Sequence, residues 1–272
     1  MEMKIKKLGI IGCGAIGNDI AQAVDKGNIN VVLFACFDVD RNKFDAMAAK
    51  LTSAKPVFMG AEELMAACDL VVECAHKDSV NSILKMAISH NRDIMFLSAG
   101  GVLENTDLIE EARKKKINIY VPSGAVVGID GLDAAKYSGL RKVTLITRKP
   151  PSAFKGVKSL IDKGINVDEI KTETTVYEGS ARGAVKDFSQ NINIAATLSL
   201  AGVGPELTLV KMIIDPFISN NIHEIIVEGD FGRFRAITEN LPSPNNPKTS
   251  YLTSLSAIVL IKKIVEPIHI GT

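Results

Sequence analysis

The chain has 272 residues, 46% of them hydrophobic, and balances 32 basic against 31 acidic side chains for a formal net charge of +1. That balance provides no field to draw in nucleic acid or an anionic membrane, so a small-molecule partner is expected, and the length favours two domains over one core. No stretch approaches the roughly 20 apolar residues of a membrane helix. The apolar run after Lys4, Lys6 and Lys7 is broken by glycines and lacks a small-residue cleavage site, so no signal peptide is expected. Cys13, Cys36, Cys68 and Cys74 lack the paired short spacings of a zinc site. They read as buried thiols of a reducing cytoplasm, and no metal is expected.

Taken in chain order, Leu8 to Ile11 feed directly into Gly12-Cys13-Gly14-Ala15-Ile16-Gly17, after which Ile20, Ala21, Ala23 and Val24 recur at helical spacing. Strand, tight turn and helix make this a dinucleotide-binding loop. Gly12 makes the turn, Gly14 leaves room for a pyrophosphate, and Gly17 lets helix and strand pack closely. Ala15 and Ile16 open the helix, whose free amides and positive dipole end would hold the phosphates. The apolar run Val31 to Phe37 ends at Asp38, roughly 20 residues beyond the loop, where a carboxylate can accept the ribose hydroxyls of NAD. Asp40 is the alternative acceptor. Arg41 is placed to meet a 2′-phosphate, so NADP is expected to be tolerated behind NAD.

Helices near 42–51, 62–67, 79–89 and 107–116 then alternate with strands near 57, 70–74, 94–97 and 117–121. This alternation predicts a doubly wound parallel sheet of the Rossmann kind, with ligands at the strands' carboxyl ends. Ala75-His76, Ser98-Ala99-Gly100-Gly101 and Pro122-Ser123-Gly124-Ala125 lie at those ends. Ser98 is expected to cap a helix. Sugar-type oxidoreductases with this kind of domain usually carry Glu-Lys-Pro after the fifth strand, where this chain has Leu97-Ser98-Ala99-Gly100. The acid-base group must therefore come from elsewhere.

Beyond Pro122 the rhythm changes. A helix near 131–137, strands at 143–147 and 174–177, helices at 181–188 and 194–200, and strands at 207–214, 223–228 and 231–238 predict an α+β domain with a mostly antiparallel sheet. The last two strands are expected to be joined at Gly229-Asp230. A final helix from 249 to 265, apolar on more than one face, is expected to return between the domains. The division reads as 1–124 for dinucleotide binding, 125–248 for catalysis and dimerisation, and 249–272 for the returning helix.

Pro122-Ser123-Gly124-Ala125, Asn191-Ile192-Asn193-Ile194-Ala195-Ala196-Thr197, Leu200-Ala201-Gly202, Asp215-Pro216, Asn221-Ile222-His223-Glu224 and Asn245-Asn246-Pro247-Lys248-Thr249-Ser250 follow one another in order. Together they resemble the signatures of the L-aspartate dehydrogenase family. The resemblance implies that His223 is the acid-base catalyst and that Ala125 and Asn193 contact the nicotinamide end of the cofactor. It also implies NAD(P)-dependent oxidative deamination of L-aspartate or its reversal, a homodimer joined through the antiparallel sheet, and delivery of iminoaspartate to NAD biosynthesis. The chain is somewhat long around 150–168 for that pattern.

The residues point to His223 independently. His90 closes a helix beside Asn91 and Arg92, His76 has polar neighbours, and His269 lies in the terminal tail, whereas His223 stands between an Asn-Asn turn and an apolar strand. An imidazole with its ordinary pKa near 6.5 exchanges protons near neutrality. Lys248 and Arg182 are the candidates for the substrate carboxylates. A homoserine-type or imine reductase, and a non-catalytic NAD-binding sensor, are the alternative readings.

Overall fold

The computed structural model describes residues 6–188, 193–244, 246–268 and 270–271, without the side chains of Pro247 and Lys248. Two compact units emerge, one formed by Met1–Pro122 with Ser254–Ile270 and the other by Ser123–Thr253 with Gly271–Thr272.

The first unit alternates β1 (Lys6–Ile11), α1 (Ala15–Asp25), β2 (Val31–Phe37), α2 (Arg41–Ala48), β3 (Val57–Phe58), α3 (Ala61–Ala67), β4 (Leu70–Glu73), α4 (Val80–His90), β5 (Asp93–Phe96), α5 (Ala99–Leu103), α6 (Thr106–Lys114) and β6 (Ile119–Tyr120). The six strands are parallel in the order β3-β2-β1-β4-β5-β6, the doubly wound arrangement that the alternation predicts. Strands covered on both faces need apolar side chains at successive positions, and Leu70, Val71 and Val72 are all buried. The order reverses at β1, so the glycine loop and the end of β4 lie side by side at the switch point.

The second unit contains α7 (Ile129–Ala135), β7 (Leu140–Lys149), α8 (Lys158–Asp162), β8 (Thr174–Ser180), α9 (Ala181–Asp187), α10 (Asn193–Ala201), β9 (Thr208–Ile214), β10 (Asn221–Gly229), β11 (Gly232–Asn240), β12 (Pro242–Ser243) and β13 (Asn246–Ser250). Its main sheet runs β11-β10-β7-β9-β8 and is antiparallel except for the β7–β9 pair. Alternation along β7 turns Val143, Leu145, Thr147 and Lys149 to one buried face, which Val210, Met212, Ile214, Ile225 and Val227 extend. Helix α10 packs with α7, α9 and β9.

Two local expectations are corrected. Gly229 pairs with Gly232, so Asp230 and Phe231 form the turn, because Gly232 supplies the positive φ of 117°. Residues 246–250 form β13, so the last helix, α11 (Tyr251–Val265), begins at Tyr251.

Helix α11 supplies Ala257 and Ile261, both fully buried, to the same core cluster as Leu8, Ile10, Ile20 and Val72. The first unit is therefore completed by a segment from the far end of the chain. Among the described residues no helix is long and apolar enough to cross a membrane. Ile261→Ala removes fully buried side-chain volume and is expected to destabilise the first unit by about 2–5 kcal/mol. Val259→Ala, at a position 51% exposed, should stay within about 0.5 kcal/mol in the same denaturant titration.

Candidate functional site

In the first unit the three glycines divide their tasks as physical space dictates. A Cβ on Gly12, at φ +104°, would stand 2.5 Å from the Cys74 carbonyl oxygen, and one on Gly17 would strike the Gly12 carbonyl oxygen. A Cβ on Gly14 meets nothing within 4 Å. Gly14 is also the N-cap of α1, with no side-chain cap and no acidic residue in the first turn. Open space beside uncapped amides at a positive helix end fits a pyrophosphate.

Asp38 is buried, its Oδ2 accepting from the Cys13 amide at 2.8 Å and its Oδ1 from the Asp40 amide at 2.9 Å. The carboxylate thus ties the glycine loop to the end of β2, and its two oxygens retain lone pairs for further donors. Asp40 instead caps α2, accepting from the Asn42 backbone at 3.1 Å. Arg41 bonds Asp45 at 3.0 Å and lies 4.2 Å from the Phe58 ring centre.

Sequence reading missed Glu73 at the end of β4. Its fully buried side chain takes the Ala75 amide at 2.8 Å, the Ser98 hydroxyl at 2.9 Å and the Ser98 amide at 3.1 Å. Burial raises its pKa while these bonds lower it. The expected Ser98 cap is corrected here: its hydroxyl donates to Glu73 and makes no cap bond. Glu73 thereby joins the segments that follow β4 and β5.

In the second unit, β10 places His223 directly across from Thr147 of β7, and Thr147 Oγ1 lies 3.2 Å from His223 Nδ1. His223 is 2% exposed. On its other side Thr238 faces it from β11 and bonds the Ala125 carbonyl at 3.0 Å, which Asn240 also holds at 2.9 Å. Ala125 and His223 are therefore fixed by one hydrogen-bonded set. Lys149, one same-face step beyond Thr147, is 8% exposed.

The expectation of an ordinary imidazole is corrected. Burial, assisted by the Lys149 charge, lowers the His223 pKa from 6.5 to about 3, while burial lowers that of Lys149 to about 8. His223 is neutral throughout the physiological range. Nδ1 is engaged with Thr147, which leaves Nε2 for proton exchange.

His76 is exposed with Nδ1 3.1 Å from Asp78, and His90 lies 3.6 Å from Glu62. Arg182 is corrected as a carboxylate candidate, since it is exposed and paired with Glu206. Asn193 opens α10, and Asn246 bonds Thr249 at 3.1 Å. Asn191, Ile192, Asn245, His269 and the Lys248 side chain lie outside the described residues.

An open phosphate cradle on a doubly wound sheet, followed by an α+β unit with a buried imidazole, defines a pyridine-nucleotide oxidoreductase. The comparisons narrow this class. A family model described as aspartate dehydrogenase, C-terminal, matches residues 130–264, and the NAD binding domain of homoserine dehydrogenase matches residues 12–122. L-Aspartate dehydrogenase of Methanosarcina mazei is 48% identical, covering 98% of this chain and 99% of that protein. The Bradyrhizobium diazoefficiens enzyme of the same name is 38% identical over 98% of this chain and 94% of its own. The chain belongs to the L-aspartate dehydrogenase family. Among solved structures, aspartate dehydrogenase from Thermotoga maritima shares the fold with a TM-score of 0.74 at 24% identity, covering 98% of this chain and 99% of that one. A homoserine dehydrogenase from Thiobacillus denitrificans follows with a TM-score of 0.64 at 12% identity, covering 96% of this chain and 74% of its own.

Gly14→Val is expected to leave the fold intact and to abolish nicotinamide-nucleotide binding, whereas Gly17→Val should destabilise the first unit because it strikes backbone. Calorimetric binding and thermal unfolding of the two variants separate these effects. His223 also makes stability depend on pH. Its folded pKa of about 3 lies below the ordinary 6.5, so between those values the unfolded chain holds the extra proton. Its contribution is complete above pH 6.5 and is lost as pH falls toward 3, at up to about 1.4 kcal/mol per pH unit. His223→Gln should flatten that limb in urea titrations at successive pH values.

Proposed function

We propose that this chain catalyses the NAD(P)-dependent oxidative deamination of L-aspartate to iminoaspartate, then oxaloacetate and ammonia, or the reverse amination. The observation that carries the reading is His223, buried and oriented through Nδ1 by Thr147 within the segment that matches the aspartate dehydrogenase C-terminal model.

A bound nicotinamide would supply the hydride-accepting chemistry for oxidation at the substrate α-carbon. The protein holds the cofactor and manages the proton. Gly12, Gly14 and Gly17, with the Ala15 and Ile16 amides, seat the pyrophosphate. Asp38 accepts the adenosine ribose hydroxyls, which favours NAD. Arg41 is committed to Asp45 and an aromatic face, so NADP is the second choice. Ala125 and Asn193 contact the nicotinamide end.

With Nδ1–H donating to the Thr147 hydroxyl, the Nε2 lone pair takes a proton from the substrate amine or from the hydrolytic water. Burial keeps this imidazole in its base form at neutral pH, and a positioned base of this kind contributes about 10² to 10⁴ in rate. The product would supply NAD biosynthesis in the cytoplasm. The outer face of the large sheet, where Leu209 and Ile237 are exposed, would join two copies into a homodimer.

Initial rates of nicotinamide reduction over a panel of amino acids, with NAD and NADP in turn, test the reading, and L-aspartate with NAD should stand out. His223→Ala should keep NAD affinity within about twofold yet lower turnover by about 10² or more, while His76→Ala retains most of it. NAD binding without turnover of any amino acid would favour the sensor alternative. Loss of turnover in His76→Ala alone would move the proton chemistry to the first unit.

A further inference from the structure

We propose that Glu73 is a positioning residue for the dinucleotide: from a fully buried place, its carboxylate sets the backbone against which the glycine loop is built. The inference rests on the reading of that loop as the cofactor cradle, and it holds whichever amino acid is the substrate.

The register of the sheet sets Glu73 level with Ile11, the last residue of β1, and the Cys74 amide donates to the Ile11 carbonyl at 2.7 Å. The peptide between Cys74 and Ala75 then lies directly against Gly12. A Cβ on Gly12 would stand 2.5 Å from the Cys74 carbonyl oxygen and 2.8 Å from the Ala75 nitrogen. Glu73 holds that peptide, its Oε1 taking the Ala75 amide at 2.8 Å. The same carboxylate reaches the end of β5, where it takes the Ser98 hydroxyl at 2.9 Å and the Ser98 amide at 3.1 Å. Behind it α5 closes on the turn after β4, since a Cβ on Gly101 would stand 2.7 Å from the Lys77 carbonyl oxygen. The segment after β4 is thus held between the glycine loop and α5, with one carboxylate as the tie.

The sheet has no packing need for a charge at this position. Leu70, Val71 and Val72 precede Glu73 on β4 and are all buried, and a fourth aliphatic residue would extend them with no charge to desolvate. It would deprive the Ala75 and Ser98 amides of this acceptor. An ionised carboxylate accepts at both oxygens and donates nothing, so it answers all three donors, through bonds of the stronger, charge-assisted kind. On the opposite side Asp38 ties the Cys13 amide to the end of β2. The loop that leaves Gly14 open is therefore clamped by one acid directly from β2 and by the other, through a peptide, from β4.

Amides bind a pyrophosphate well when they converge before the ligand arrives, because a loop that is ordered only on binding loses part of the interaction energy to that ordering. Glu73 acts on the cradle through the Ala75 and Ser98 backbone. Its influence therefore falls on cofactor affinity and leaves the chemical step alone.

The experiment titrates the full-length protein with NAD and with ADP-ribose by calorimetry, below the unfolding temperature of every variant. Glu73→Gln should raise both dissociation constants by about tenfold and Glu73→Met by about 10²-fold, as expected for lost bonds to a charged acceptor. KM for NAD should rise by the same factors while kcat stays within about threefold. Ile261→Ala, which removes core volume from the same unit and no hydrogen bond, should leave NAD affinity unchanged and so separates lost positioning from lost stability. Ser98→Ala, a milder change that takes away one of the three donors, should raise the NAD dissociation constant by about threefold to tenfold. In the ligand-free wild type, the Ala75 and Ser98 amides should exchange with solvent at least about 10³ times more slowly than in an unstructured peptide. Unchanged NAD affinity in Glu73→Met, or an equal loss of affinity in Ile261→Ala, overturns the proposal. Where the Glu73 variants fail to fold, unchanged NAD affinity in Ser98→Ala or unprotected Ala75 and Ser98 amides in the wild type overturn it. NAD affinity that depends on Glu73 in a protein with no amino-acid turnover would keep the positioning role and sink the aspartate reading. Aspartate turnover in a protein whose NAD affinity is indifferent to Glu73 would do the reverse.

Discussion

Taking a charge out of water is the constraint on which the polar end of the second unit's sheet depends. An ammonium on the inner face of a sheet is costly unless a ligand or a polar neighbour answers it. Lys149 sits in such a place, and the consequence reaches the next strand, where its field and the lack of water keep His223 unprotonated. The neutral imidazole follows from the same burial that desolvates the lysine. Thr147 then engages one ring nitrogen of His223, and the hydrogen bonds from Thr238 and Asn240 to the Ala125 carbonyl hold the adjoining loop. Four elements that are distant in the chain are thereby made mutually dependent.

The first unit meets the same constraint with carboxylates. Asp38 and Glu73 end β2's run and β4 respectively, and each is buried because backbone amides, not lysines or arginines, satisfy it. A carboxylate held by amides fixes the course of the main chain, so the glycine loop and the turns after β4 and β5 are set before any ligand arrives. Preorganisation of this kind reduces the ordering cost of binding a long, flexible nucleotide. Gly14 contributes by leaving space, and the two flanking glycines by permitting backbone contacts that a side chain would prevent.

Local sequence made the first unit largely legible. The glycine triplet, the apolar runs and Asp38 report directly on strand, turn and helix, since parallel crossovers bring consecutive elements together. His223 was legible by its isolation between a turn and an apolar strand. Its environment was not, because the strand order β11-β10-β7-β9-β8 sets it against Thr147, 76 positions earlier, on a strand separated from its own by three helices and two other strands. The signal for Lys149 was present in Val143-Thr144-Leu145-Ile146-Thr147-Arg148-Lys149, where strict alternation continues the inward set through a threonine to a lysine. Reading it required knowing that β7 is central, since on an edge strand the same lysine would reach solvent. Glu73 was hidden for a related reason: a glutamate that ends an apolar run reads as a solvated strand end until its amide partners are located.

Fold and chemistry separate along these lines. The fold itself is shared with an aspartate dehydrogenase and a homoserine dehydrogenase at 12–24% identity, so the architecture alone does not select a substrate. What sets the second unit apart from an apolar sheet is the short polar end formed by Thr147, Lys149 and His223, where the inward face stops serving the core alone and carries buried groups that can hydrogen-bond or bear charge.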